Sequence, residues 1–76
     1  MDLVAQLGRN VRAIRISLGL SQEELAFRAG MKRTYLSDLE RGVRNPTVRA
    51  VERLALAMEV AADQLLLNDA PNTASK

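Results

Sequence analysis

A break of only three residues, Gly30-Met31-Lys32, separates two short stretches of helical character, and no other feature constrains the fold of this chain as much. Before the break, Ser21 followed by Glu24 makes a capping box, and Leu20 and Leu25 bracket it as a hydrophobic staple. A helix is therefore predicted from Gln22 to Ala29, stopping at Gly30. After the break a second helix is predicted from Arg33 to Arg41, ended by Gly42.

So short a glycine-containing turn between two short helices is the signature of a helix-turn-helix. Further punctuation adds three helical pieces, for five in all. Leu3, Leu7, Val11, Ile14 and Leu18 recur at helical spacing, which predicts an amphipathic helix over residues 2–18 ending at Gly19. Gly8 weakens that helix by roughly 1 kcal/mol relative to Ala and shifts its expected start toward Leu7. Thr47 is an N-cap candidate for a fourth helix, with Val48, Val51, Leu54, Ala55 and Met58 as its inner stripe. A short fifth helix is expected over Ala62 to Leu67, followed by a polar, aperiodic tail over residues 68–76 that is expected to be disordered.

Composition removes whole classes of function. The 76 residues include no cysteine and no histidine, so disulfides, a thiol nucleophile, the usual general base and the commonest metal ligand are all missing. Neither an enzyme nor a metal or cofactor protein is expected. No apolar run approaches the roughly 18 residues a membrane span needs, and MDLVAQ carries an acid where a signal peptide has a base. An intracellular, cytoplasmic all-α protein follows.

Charge is distributed unevenly. Residues 28–53 carry seven basic side chains against three acidic ones, whereas residues 1–27 balance and residues 54–76 are net acidic. This concentration suits either a docked polyanion or a solvated arginine-rich surface. Lys32 and Arg33 stand at the first turn of their helix, where the macrodipole disfavours cations unless an anion arrives. On a helical wheel Arg33, Thr34, Ser37, Asp38 and Arg41 share one arc, with Leu36 and Leu39 opposite. Glu40 falls near the apolar side and needs a cation, for which Arg15 is the candidate in a purely structural ion pair.

The run LSQEELAFRAGMKRTYLSDLERGVRNPTVRAVERLALAMEV resembles the DNA-binding domain of Cro and lambda-repressor type regulators, the XRE family, over about residues 9–66. LSQEELA, the glycine turn, YLSDLERG and RNPT occur in the family's order. The small size, the extended first helix and RTY at the head of the third are similar to restriction-modification controller proteins. The resemblance implies a five-helix lambda-repressor-like domain over residues 1–67, a homodimer, and binding to palindromic operator DNA.

Helix-turn-helix proteins insert the N-terminal residues of the second helix of the motif into the major groove. Arg33 is then the principal base reader, since a guanidinium can donate to both O6 and N7 of guanine. Thr34 offers a methyl to thymine or a hydroxyl to phosphate, and Ser37 reaches a base edge or a bridging water. Gln22, Lys32, Arg41 and Arg44 are the phosphate-binding candidates, and Tyr35 either packs beside the groove or joins them through its hydroxyl. Asp38 repels phosphate unless it pairs with Arg41 or accepts from cytosine. Val60, Leu65, Leu66 and Leu67 either complete the core or form the dimer interface. Glu23 complements the helix dipole or, as the resemblance implies, touches RNA polymerase. An antitoxin or adaptor built on the same motif is the competing reading, and it predicts no salt-dependent DNA affinity.

Overall fold

A computed structural model describes residues 2–67; Met1 and the tail expected to be disordered lie outside the described residues. These residues form four α-helices, α1 (Leu3–Ser17), α2 (Gln22–Ala29), α3 (Arg33–Glu40) and α4 (Val48–Met58), then a 3-10 helix over Ala62–Leu66. The expectation of five helices is thus corrected at the last element. Five residues closed by an extended Leu67 are too few for a stable α-helical run, and a tighter single turn takes their place.

Local signals set most boundaries. The capping box expected at Ser21 forms: the Ser21 hydroxyl accepts from the Glu24 N–H while the Glu24 carboxylate accepts from the Ser21 N–H. Gly30 closes α2 with φ of 70°, a left-handed conformation that costs glycine little. Thr47 caps α4 by accepting from the Ala50 N–H at 3.0 Å. α3 ends one residue before the predicted Arg41, which becomes its C-cap.

The late start expected for α1 is also corrected. Asp2 caps it, accepting from the N–H groups of Val4 and Ala5, so the helix begins at Leu3. Gly8 sits where α1 crosses the end of α3. A Cβ there would collide with the Leu39 carbonyl oxygen and stand 2.9 Å from that of Glu40. The glycine thus serves a close backbone approach rather than a weak helix start.

The core joins Leu7, Val11 and Ile14 of α1 to Leu25, Leu36, Leu39 and Leu54, and Leu65 closes it from the 3-10 helix. Two expectations fail here. Val48, placed by its spacing on the inner stripe of α4, is 87% exposed, because it falls at the rim of a buried arc that runs through Ala50, Leu54 and Met58. Leu65, a dimer-interface candidate, is fully buried in the monomer. The cause is Asn10, itself buried, whose amide nitrogen donates to the carbonyls of Leu65 and Leu67 at 2.9 and 2.8 Å and draws the terminal segment onto α1. Val60 likewise packs partly against the core, leaving only Leu66 and Leu67 of that set exposed. No helix among the described residues is long and apolar enough to cross a membrane.

Candidate nucleic-acid interface

α3 is held from behind and free in front. Leu36 and Leu39 are buried, so the wheel turns Arg33 and Thr34 to solvent and leaves Ser37 half-buried one turn on. Lys32 is the N-cap but makes no side-chain capping bond, since an ammonium has no acceptor to offer the free N–H groups. The positive end of α3 is therefore flanked by two exposed cations, Lys32 and Arg33.

Beyond the helix, Asp38 is engaged by cations on the protein itself. Arg41 Nη1 stands 3.3 Å from its Oδ1 and Arg44 Nη2 3.7 Å from its Oδ2. That pairing offsets the repulsion an isolated carboxylate would direct at phosphate, while both guanidinium groups stay substantially exposed. Tyr35 is half-buried. Its hydroxyl accepts a long bond from the Thr47 N–H at 3.4 Å, and the Arg44 guanidinium carbon lies 4.7 Å from its ring centroid. The ring thereby ties α3 to the start of α4 and carries Arg44 as a cation–π partner.

Gln22 is half-buried and spends one of its two amide N–H donors on the protein itself. Its amide nitrogen donates to Glu40 Oε1 at 3.0 Å, facing inward. Arg15 Nε donates to Glu40 Oε2 at 2.7 Å, and Arg15 Nη1 donates to the Leu20 carbonyl at 2.8 Å. Glu23, on the next position of α2, is exposed.

Two cations escaped the residue-level reading. A cleft of about 600 Å³ runs beside α3, and Lys32, Thr34, Tyr35 and Arg44 share its lining with Arg49 and Arg53 of α4. Arg49 and Arg53, four residues apart, share one helical face. The charge excess over residues 28–53 already contained them, but only the packing of α4 beside the turn brings them to this surface. Arg49 Nε is 3.8 Å from Glu52, an exposed contact of little weight.

A separate apolar groove of about 280 Å³ lies between α1 and the start of α4, lined by Leu3, Pro46, Val48, Val51 and Leu66 among others. Leu3, Val48 and Leu66 all expose a large part of their surface. No cluster of residues able to hold a metal ion occurs among the described residues.

The sequence pattern of the helix-turn-helix family matches residues 11–65. A Neisseria meningitidis protein described as a hypothetical transcription factor is 48% identical over 66 residues, covering 87% of this chain and 62% of that protein. The chain thus spans less than two thirds of that relative's length. The crystal structure of the restriction-modification controller protein C.AhdI from Aeromonas hydrophila superposes with a TM-score of 0.80 at 37% identity, covering 82% of this chain and 94% of that one. The controller protein C.Esp1396I, solved as a tetramer in complex with its natural 35 base-pair operator, gives 0.78 at 31% identity over 86% of each chain.

Proposed function

The chain belongs to the helix-turn-helix family of the XRE, Cro and lambda-repressor type, and on that premise we propose that it is a transcriptional regulator that binds a palindromic operator as a dimer, in the manner of a restriction-modification controller protein. One observation carries the reading furthest. The N-terminal turn of α3 presents Arg33 and Thr34 to solvent while Leu36 and Leu39 anchor the opposite side in the core.

In this reading residues 1–67 are the DNA-binding domain, and α3 enters the major groove N-terminus first. Arg33 reads guanine, with Thr34 and Ser37 on neighbouring base edges. Lys32, Arg41 and Arg44 bind phosphates, and the free N–H groups at the start of α2 take another. Tyr35 supports Arg44 from its ring face. The protein is then a cytoplasmic, non-enzymatic one, as its work on operator DNA requires.

Dimerisation is assigned to the surviving exposed apolar surface: Leu66 and Leu67, together with Leu3 and Val48 around the groove. Self-association there sets two recognition helices about one DNA turn apart, roughly 34 to 36 Å. Glu23 is exposed on α2 and available to RNA polymerase beside a bound operator. Glu23→Lys should abolish activation in a transcription assay at full operator occupancy; undiminished activation would remove it from that role.

Selection of bound sequences from a random duplex pool tests the whole reading. A two-fold symmetric consensus is expected, with affinity falling steeply as salt rises. Arg33→Ala should cost about 1 to 3 kcal/mol and relax preference at one position of each half-site. Equal losses on selected and random duplex would take Arg33 out of base reading, and an affinity indifferent to salt would reject DNA as the partner.

A further inference from the structure

The segment that follows α4 is held at both ends. At its entrance Glu59 has φ of 59° and ψ of 43°, the left-handed conformation that closes α4, and the Val60 N–H donates to the Ala55 carbonyl at 3.0 Å. A residue with a Cβ holds that conformation at a cost that glycine escapes. At the far end the buried Asn10 of α1 donates from its amide nitrogen to the carbonyls of Leu65 and Leu67 at 2.9 and 2.8 Å. Leu65 is fully buried, whereas Leu66 and Leu67 stay exposed.

The Asn10 amide can face only one way. Two carbonyls require a donor, so its NH2 group points at the segment. Its oxygen turns back along α1, where Gln6 Nε2 lies 3.4 Å away.

A second arrangement is open to the same residues. Val60 to Leu67 contain neither glycine nor proline, so with Glu59 in the ordinary right-handed region α4 would run on through them. Leu66 would then be carried roughly 10 Å along the helix axis past Glu59. That takes it away from the groove it lines with Leu3 and Val48. Leu65 would leave the core, and the two carbonyls would lose Asn10.

We propose that Asn10 is a positioning residue for dimerisation: it latches residues 60–67 in the folded-back arrangement and so assembles, from Leu66, Leu67 and the α1–α4 groove, the surface that meets a second copy of the chain. The inference rests on the assignment of that surface to the dimer. Latch and dimer are then linked, because the second copy binds the folded-back state and not the run-on helix, and each stabilises the other. Only the folded-back fraction of a protomer is competent to pair. A symmetric dimer uses two protomers, so a fall in that fraction enters the dissociation constant squared. Neither Asn10 nor Glu59 lines the cleft beside α3, so a single protomer keeps its hold on DNA.

Asn10→Leu keeps the volume of the side chain and removes both donors. Sedimentation gives the dimer dissociation constant, a duplex bearing one half-site gives the DNA affinity of a single protomer, and thermal melts establish that the variant is folded at the assay temperature. The dimer should weaken by about tenfold or more, since a loss of about threefold in each protomer suffices, while half-site affinity stays within about twofold of the parent. Glu59→Gly relieves the hinge and disfavours the run-on helix, so it should restore dimerisation severalfold in the Asn10→Leu background. The parent chain supplies a test without any substitution. Hydrogen exchange of the Asn10 side-chain amide, buried inside each protomer, should slow as rising concentration converts monomer to dimer.

Unaltered dimerisation in Asn10→Leu overturns the proposal. So does an equal loss of dimer and half-site affinity, which would make Asn10 a residue of general stability. Exchange at Asn10 that is independent of concentration would break the linkage, and failure of Glu59→Gly to rescue would remove the two-state hinge on which the latch acts. Leu66→Glu checks the underlying reading separately: if the dimer survives that change, or if the parent is monomeric at every concentration, the assigned surface is wrong and the latch has nothing to assemble.

Discussion

At the scale of single residues, Gly8 sets helix propensity against tertiary packing, and packing prevails. Alanine would favour α1 by up to about 1 kcal/mol on propensity alone. Its methyl would press on the backbone carbonyls of Leu39 and Glu40, which yield less readily than side-chain tips, and overpacking of this kind costs about 1 to 3 kcal/mol or more. Gly8→Ala should therefore lower stability by about 1 to 2 kcal/mol in urea melts, opposite in sign to the propensity rule. Glu24 gives a second test. Its carboxylate accepts from the Ser21 N–H and is bonded to the Ser21 side chain, and these contacts hold its pKa below the usual glutamate range. A depressed carboxylate contributes stability that is present above its unfolded pKa and lost as pH falls through the folded one. An NMR titration should show this midpoint lowered, and Ser21→Ala, which keeps the backbone donor, should return it only part of the way.

At the scale of elements, legibility followed the locality of the signal. α2 could be read at both ends, because Ser21, Glu24 and Gly30 act within one turn of the boundaries they set. The outward face of α3 was legible for the same reason: Leu36 and Leu39 fix its rotation. Gly8, Asn10, Val48 and Leu65 were not, since each is decided by contacts with a distant element. Asn10 reaches 55 and 57 residues along the chain, and no local pattern marks a polar residue on an apolar helix face as a clamp. At the site, the spacing of residues around α3 was readable, but the inward turn of Gln22 and the arrival of Arg49 and Arg53 depend on how α2 and α4 pack. Asn10→Ala should cost about 2 to 3 kcal/mol, because it leaves two carbonyls without their donor. Hydrogen exchange should accelerate first in residues 62–66, with α2 and α3 protected longest.

At the scale of the whole molecule, the proposed DNA surface and the proposed dimer surface meet at the start of α4, with Arg49 and Arg53 lining one cleft and Val48 the other. The two can be uncoupled by mutation. Val48→Asp should yield monomers in sedimentation and convert cooperative filling of two half-sites into independent filling, while each protomer keeps its base preference. Arg53→Ala should leave the dimer intact and reduce the slope of log affinity against log salt by about 1 per protomer without changing the preferred sequence. α3 itself is divided along its length: Gly8, Arg15 and Glu40 fasten its end to α1, and Arg33 and Thr34 stand at its open beginning. A library randomised at residues 33, 34 and 37 should accordingly give many folded members with altered targets. One randomised at 8, 15 and 40 should return few survivors, nearly all addressed to the original site.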